Sequence, residues 1–188
     1  MPDLPQRSAK VLIVYGTTEG HTGHVCQYLE HVLAESGHSV TICDVVLEPS
    51  GPKRYDLCFA AGSVHAGNYQ PALVEYVRRH HEALNAMRSA FLSVSLSAAG
   101  KNPDDWEDLD QCVERFLHAT GWSPTVVHHV AEASGSSQYD FFKRVALKII
   151  AWRRGQAAIT GGDYDLTGYE ELGTFARAFV DDPQIELS

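Results

Sequence analysis

Residues 10–22 read KVLIVYGTTEGHT, and no other part of the chain says more about its architecture. Lys10 to Tyr15 form a nearly continuous aliphatic run, which is typical of a strand buried on both faces of a sheet. A polar loop with two glycines follows this run. Beyond the loop, apolar residues recur at helical spacing, and a glycine is placed to end the helix: Val25, Leu29, Val32, Leu33 and then Gly37. The stretch therefore predicts a buried strand joined by a short loop to a helix.

The same alternation of short apolar runs and helical stripes continues along the chain. Further strands are predicted at Ser39–Asp44, Asp56–Ala61, Ala90–Leu96 and Thr125–Val130. The helical stripes comprise Leu73, Val77 and Leu84; Trp106, Leu109, Val113, Phe116 and Leu117; and, from about Gly168, Tyr169, Leu172, Ala176 and Phe179. Strands that alternate with helices or helix-length connections predict an α/β fold with a doubly wound, five-stranded parallel sheet.

The length fits a single domain with one long insertion. The chain has 188 residues, of which 44% are hydrophobic, so residues 1–188 can build one core. Residues 132–166 are longer than a plain connection between the fifth strand and the last helix. Because apolar residues within 141–155 share one side of a helical wheel, this insertion is predicted to contain a helical segment before the last helix.

Charge and cysteine content exclude several classes of protein. The net charge of -9 argues against a general nucleic-acid binder, and no run of 18 apolar residues predicts a membrane-spanning helix. The first residues lack the apolar core of a secretory signal. Cys26, Cys43, Cys58 and Cys112 contain no C-x-x-C pair, so we expect reduced, buried thiols in a cytoplasmic protein. The adjacent histidine pairs do not have metal-site spacing, and no metal is predicted.

The loop after the first strand is the first candidate for ligand binding. Ligands of doubly wound sheets bind beyond the carboxyl ends of the strands. The loop offers hydroxyl groups and backbone N–H groups at a helix N-terminus, which suits an anion; its candidate residues are Thr17, Thr18, Glu19, Gly20, His21 and Thr22. Because it has no Lys or Arg, it is not a Walker A loop. The alternative is that its threonines only cap the helix.

The loops after the third and fourth strands are the other candidates. The first contains Gly62, Ser63, Val64, His65, Ala66 and Gly67, followed by Tyr69, whose ring could stack on a planar ligand. The second contributes Ser95, Leu96, Ser97 and Gly100, and its small residues would also admit a flat ligand. The alternative for the loop after the third strand is an ordinary strand-to-helix turn with a surface aromatic residue.

Together the three loops resemble the flavodoxin family. The matching stretches are Tyr15–Thr22, Gly62–Tyr69, Ser89–Leu96, Tyr139–Ile150 and Phe175–Arg177, and more narrowly they resemble the flavodoxin-like, menaquinone-dependent protoporphyrinogen oxidases of bacterial haem synthesis. The resemblance implies FMN bound by the three loops. It further implies oxidation of protoporphyrinogen IX to protoporphyrin IX, with electrons passed through FMN to a quinone. It assigns no catalytic acid or base.

Two alternatives within this fold stay open. One is an electron-carrier flavodoxin without a substrate of its own, which an acidic surface favours because such carriers dock on basic partners. The other is a regulatory domain that has lost its flavin. The insertion disfavours the electron carrier, since a carrier needs no membrane element.

The insertion carries a concentrated positive charge. Residues 141–155 hold five Lys and Arg and no acid, which leaves a charge of -14 on the remainder of the chain. Phe141, Phe142, Val145, Ile149 and Trp152 share one side of a helical wheel. Such a basic amphipathic segment suits an anionic membrane surface, and residues 141–154 predict a peripheral association with the inner face of the cytoplasmic membrane. The alternative is a helix docked on the core with solvated Lys and Arg.

Overall fold

Five parallel strands form the centre of the protein in the computed structural model, which describes residues 8–17, 20–47, 50–95, 103–131 and 167–181. Along the chain the strands are β1 (Lys10–Gly16), β2 (Ser39–Asp44), β3 (Leu57–Ser63), β4 (Arg88–Ser95) and β5 (Val126–Ala131). They are hydrogen-bonded in the order β2-β1-β3-β4-β5, and every neighbouring pair is parallel. The prediction of a doubly wound five-stranded α/β fold is confirmed.

Four α-helices cover the two faces of this sheet within the described ranges. They are α1 (His21–Glu35), α2 (Pro71–Asn85), α3 (Pro103–Thr120) and α4 (Thr167–Asp181), and a short 3-10 helix lies at Pro52–Arg54. In these ranges no helix combines the length and apolar character needed to span a bilayer.

The alternation of side chains along each strand creates two separate hydrophobic cores. Val11 and Ile13 of β1 pack on one face with residues of α1 and α4, including Leu29 and Phe179. Leu12 and Val14 of β1 pack on the other face with residues of α2 and α3. Because both faces are covered, β1 is apolar along nearly its whole length, as the sequence predicted. All four cysteines are buried and unpaired, which confirms that they serve as small core residues.

The predicted strand boundaries differ from the observed ones by two residues at the end of β3 and at the start of β4, which begins at Arg88 instead of Ala90. β3 extends through Gly62 and Ser63 into the segment expected to be a loop, because these residues pair with Ser93 and Val94 of β4. Gly37, at a φ of +88°, follows α1 as expected for a helix-terminating glycine. The predicted insertion at residues 132–166 lies outside the described residues.

Candidate functional site

The three candidate loops leave adjacent strands at one edge of the sheet. β1, β3 and β4 are neighbours, and Gly16, Gly62 and Ser93 form a row across them. The chain leaves β1 toward α1 on one face and leaves β3 toward α2 on the other. The order of strands therefore reverses between β1 and β3, where doubly wound sheets open a crevice for ligands.

The loop after β1 ends at the N-terminus of α1, whose backbone N–H groups receive no side-chain cap from the described residues. Gly20 is the N-cap of α1 at a φ of +86°, and no side chain caps this helix terminus. The Oγ1 atom of Thr17 accepts a hydrogen bond of 2.8 Å from the N–H of Gly20, which lies before the first helical turn. A Cβ atom added to Gly20 would meet nothing within 4 Å, so the space beside it is open. The described threonines therefore do not cap α1.

Thr22 points to the ligand that this terminus suits. Its side chain is completely buried, yet its Oγ1 atom has no hydrogen-bond partner among the described residues. A buried hydroxyl without a partner is costly, and here it lies in the first turn of α1, at the positive end of the helix dipole. A phosphate group would satisfy both the hydroxyl and the free N–H groups. The donor set is neutral, which fits the phosphate monoester of FMN; Thr18 and Glu19 lie outside the described residues, and His21 begins α1.

The loop after β3 is a tight, fixed turn. His65 and Asn68 exchange backbone hydrogen bonds of 2.9 and 3.1 Å, while Ala66 and Gly67 between them have φ angles of +47° and +74°. Two successive positive φ angles match a type I′ turn, a conformation that alanine adopts only when its surroundings impose it. The Nη2 atom of Arg115 on α3 donates a hydrogen bond of 3.2 Å to the carbonyl oxygen of Gly67. The turn is thus held from outside by a cation.

Gly62 and Tyr69 have packing roles instead of exposed ones. A Cβ atom on Gly62 would lie 2.5 Å from Cδ2 of Leu73 and 3.0 Å from the ring of Tyr69, so the first turn of α2 requires a glycine here. The expectation that Tyr69 stacks on a ligand or lies at the surface is wrong. Its ring packs against Phe91 and Phe116, and its hydroxyl shares a 2.7 Å hydrogen bond with Ser93. Burial raises the pKa of Tyr69, which keeps the phenol neutral.

The remaining candidates lie along the same edge. Ser63 is half-buried at the end of β3, and the N–H of Val64 donates a 3.0 Å hydrogen bond to Val94, which extends the pairing with β4. His65 is exposed on the turn. Ser95 is buried at the last position of β4. Leu96, Ser97 and Gly100 lie outside the described residues, so their predicted contact with a ligand stays a prediction.

Two residues of the site were not found by sequence reasoning. Gln70 precedes α2, and its Nε2 atom donates a hydrogen bond to the carbonyl oxygen of Thr17, which joins the first two loops. Pro71 is the first helical residue of α2, and proline favours this position. The proline therefore was a signal in the sequence that a helix starts directly after Gln70. Arg115 lies on α3, 48 residues after its partner Gly67, and no local pattern links the two.

Comparison with known proteins supports the resemblance. A sequence profile of the flavodoxin domain matches residues 12–160. A Leishmania major protein named protoporphyrinogen IX dehydrogenase [quinone] is 32% identical over 168 residues, covering 87% of this chain and 69% of that protein. An Escherichia coli K12 protein of the same name is 30% identical over 170 residues, covering 89% and 93%.

A solved structure of oxidised flavodoxin 1 from Bacillus cereus has a TM-score of 0.49 at 13% identity, covering 73% of this chain and 95% of its own. The profile match extends over well more than half of the chain, from within β1 past the end of β5. This chain belongs to the flavodoxin domain family.

Proposed function

We propose that this chain is an FMN-dependent dehydrogenase that oxidises protoporphyrinogen IX to protoporphyrin IX and passes the electrons to a quinone. The observation that carries the proposal is its similarity to the Escherichia coli protein of that printed name, at 30% identity over 93% of the relative's length. The open edge of the sheet, with an orphaned Thr22 hydroxyl at a helix N-terminus, fits the phosphate of the cofactor.

The protein's own residues bind and orient the cofactor. Bound FMN supplies the redox chemistry, since it can be reduced by two electrons and reoxidised by a quinone. The Thr22 hydroxyl and the N–H groups of the first turn of α1 hold the phosphate. The turn at residues 65–68, fixed by Arg115, and the buried end of β4 would hold the ring system and shield it from water when FMN is bound. Three cycles, each removing two electrons and two protons and releasing one quinol, complete the six-electron oxidation.

A specific surface favours an electron carrier as the second candidate. α3 presents an acidic stripe, defined here as Glu107, Asp110 and Glu114, along a shallow depression that Pro103 and Trp106 also line. Such a stripe suits docking to a basic protein partner, as a flavodoxin carrier requires.

We place the reaction at the inner face of the cytoplasmic membrane. A quinone acceptor is dissolved in lipid, and residues 141–154 supply Lys and Arg next to apolar residues. The dehydrogenase would then remain a peripheral protein that meets its acceptor at the lipid surface.

The deciding experiment separates cofactor, substrate and acceptor. The purified protein is reconstituted with FMN and mixed anaerobically with protoporphyrinogen IX and a menaquinone analogue, and porphyrin fluorescence is recorded. We expect fluorescence that requires both FMN and the quinone, with the FMN-free protein as the matched control. Tight FMN binding without enzyme-dependent porphyrin would refute the dehydrogenase and favour the carrier. Failure to bind FMN would refute both.

A further inference from the structure

A second concave site lies away from the three candidate loops. It is a groove between the segment that enters β3 and the C-terminal half of α2, with a volume of about 510 Å³. Because α2 runs antiparallel to the strands, this half of the helix lies toward the opposite edge of the sheet. We call it the α2 groove and define it by Lys53, Arg54, Arg79, His80 and Glu82.

The wall of the α2 groove is held in place by a buried tyrosine. Tyr76 is 4% exposed, and its hydroxyl donates a 2.6 Å hydrogen bond to the carbonyl oxygen of Ser50, at the start of the segment that forms the facing wall. The ring of Tyr76 also lies 4.6 Å from the imidazole of His80. The two walls therefore keep a fixed separation without a ligand.

The α2 groove gathers positive charge in a strongly acidic protein. Three of the eight Lys and Arg among the described residues line it, against one acid, Glu82. Lys53 and Arg54 form no salt bridge within the described part of the chain. Arg79 reaches Glu75 at 3.4 Å, but this carboxylate also binds Arg78, and the Arg79 side chain is 65% exposed. The groove thus holds more positive charge than its acids neutralise.

The pKa of His80 reflects the positive charge of the α2 groove. Burial lowers the pKa of His80, and the nearby cations Arg79 and Lys53 lower it further. An anion between the walls would oppose the two cations and bring the pKa of His80 back up. A neutral His80 can still donate one N–H to such a ligand.

We propose that the α2 groove binds a phosphate-class dianion, carried either by a free small molecule or by a lipid headgroup. Three cations against Glu82 leave a net charge of about +2, which a single carboxylate would only partly balance, whereas a phosphate monoester carries a charge near -2 and accepts hydrogen bonds from several donors. Arginine and lysine together supply planar and point-charge contacts to such a group. This site goes beyond the proposed dehydrogenase function and does not depend on it.

The first test uses His80 as the reporter. The imidazole signals of the FMN-loaded protein are followed by NMR through a pH titration, with sodium phosphate and with sodium chloride at equal ionic strength. We expect phosphate to raise the pKa of His80 and to leave the imidazole chemical shifts of His118, an exposed histidine on α3, unchanged at each pH. No response of His80, or an equal response of both histidines, would overturn the proposal.

The second test removes charge from the α2 groove in a matched way. The double variant K53Q/R79Q loses two cations that line the groove, and K10Q/R177Q loses two exposed cations that neither line it nor pair with Glu75. Pyrophosphate affinity, measured by calorimetry, should fall at least about tenfold in the first variant and change little in the second. Equal losses would show that only net charge matters and would refute the site. FMN absorbance checks that each variant keeps its cofactor.

Vesicles distinguish the two sources of the phosphate group. Phosphatidylcholine vesicles with and without phosphatidylglycerol are sedimented with the FMN-loaded wild-type protein and with K53Q/R79Q. Weaker sedimentation of this variant on the anionic vesicles would assign a lipid headgroup to the groove. Equal sedimentation of the two proteins, together with the loss of pyrophosphate binding, would assign a free phosphate compound.

Discussion

At the scale of single residues, the buried hydroxyl of Thr22 is predicted to bind the phosphate of FMN, because a buried hydroxyl without a hydrogen-bond partner is costly. Replacing it by valine keeps the shape but removes the orphaned hydroxyl. We expect Thr22→Val to leave the stability of the FMN-free protein unchanged or slightly higher, since no bond is lost. FMN affinity should fall about tenfold or more, because hydrogen bonds to charged groups contribute about 1.5–3 kcal/mol. Thermal unfolding of the apoprotein and titration of flavin fluorescence measure the two effects.

A matched threonine separates these effects from a general loss of a hydroxyl. Thr120 is also buried, but its Oγ1 donates a 2.9 Å hydrogen bond to the carbonyl oxygen of Phe116. Thr120→Val should therefore lower the apoprotein's stability and leave FMN affinity unchanged. If the two variants behave alike, Thr22 has no special role toward the phosphate.

Arg115 is expected to act on the cofactor through the turn that it holds. Arg115→Ala removes the hydrogen bond to the carbonyl oxygen of Gly67, so Ala66 can relax from its left-handed conformation. We expect FMN affinity to fall by about threefold to tenfold, as for the loss of one hydrogen bond of about 1 kcal/mol. Arg115→Lys, which keeps a cationic donor, should restore part of the affinity. A flavin midpoint potential and affinity unchanged in Arg115→Ala would contradict this positioning role.

These residues also show what a sequence can and cannot reveal about the site. Thr22 was found because a hydroxyl at the start of a helix after a buried strand is a local pattern. Its lack of a partner depends on where neighbouring side chains lie, which no local pattern contains. The contact of Arg115 joins α3 to the turn after β3, and Tyr69 was misplaced because its burial depends on Phe91 and Phe116. The missing partner of Thr22, the contact of Arg115 and the burial of Tyr69 all depend on packing between residues that are distant in the sequence.

At the scale of elements, the approach of α2 to the sheet requires Gly62. Gly62→Ala would place a Cβ atom 2.5 Å from Cδ2 of Leu73, so we expect a loss of about 1–3 kcal/mol in the free energy of unfolding. Urea unfolding of the apoprotein followed by tryptophan fluorescence measures it. The double variant Gly62→Ala/Leu73→Ala removes the clash with Cδ2 of Leu73, so the first turn of α2 can keep its position on the sheet. The smaller side chain at position 73 leaves a cavity.

Gly51 provides the control for this prediction. A Cβ atom there would have its nearest neighbour at 3.8 Å, the Cε1 atom of His80, which is an ordinary contact. Gly51→Ala should therefore have little effect on stability. A Gly62→Ala protein as stable as Gly51→Ala would show that α2 can shift away from the sheet at little cost.

The edge strand β5 makes stability depend on pH. Burial lowers the pKa of His128, and the neighbouring His129 lowers it further; the His128 ring stacks on Phe175 at 4.1 Å. Between pH about 7 and about 5 the unfolded chain therefore binds more protons than the folded one, and the unfolding free energy falls as the pH falls. His128→Phe keeps an aromatic stack and removes the titration. Urea unfolding across this pH range should give a smaller slope for the variant; an equal slope would contradict the assignment to His128.

The elements themselves were largely predictable from periodicity. The strands β1 and β3, which are buried on both faces, appear as nearly continuous apolar runs, and the helices appear as apolar stripes that recur every three to four residues. The end of β3 was placed too early. Gly62 and Ser63 look like a loop locally, but their backbone groups pair with β4. Pairing with another strand overrides the local preference of a glycine-serine sequence.

At the scale of the whole molecule, the alternation of strands and helices along the sequence predicts the fold class. The location of the candidate site depends on the order of the strands in the sheet. Five strands alternating with helices fit several orders. The observed order β2-β1-β3-β4-β5 is what brings the loops after β1, β3 and β4 to one edge with a reversal between β1 and β3. In the same topology the C-terminal half of α2 lies at the opposite edge of the sheet. The α2 groove and the three candidate loops are therefore separate sites.

The uneven distribution of charge gives the last prediction. The chain carries -9 overall but +5 over residues 141–155, and a basic segment attracts anionic lipid by about 1 kcal/mol per cation near the surface. Replacing all five cations of this segment by glutamine should strongly reduce co-sedimentation of the FMN-loaded protein with phosphatidylglycerol vesicles. The effect should weaken at high salt, since screening shortens the range of the attraction.

The variants of the α2 groove and of the exposed surface serve as controls for this experiment. K10Q/R177Q removes two exposed cations outside both regions and should leave sedimentation nearly unchanged. K53Q/R79Q shows how much of the binding belongs to the α2 groove. If the five glutamines leave sedimentation at the wild-type level, the peripheral location is refuted. In the proposed dehydrogenase the quinone would then have to reach the carboxyl edge of the sheet without the basic segment bound to lipid, because the proposed reaction needs an acceptor in every two-electron cycle.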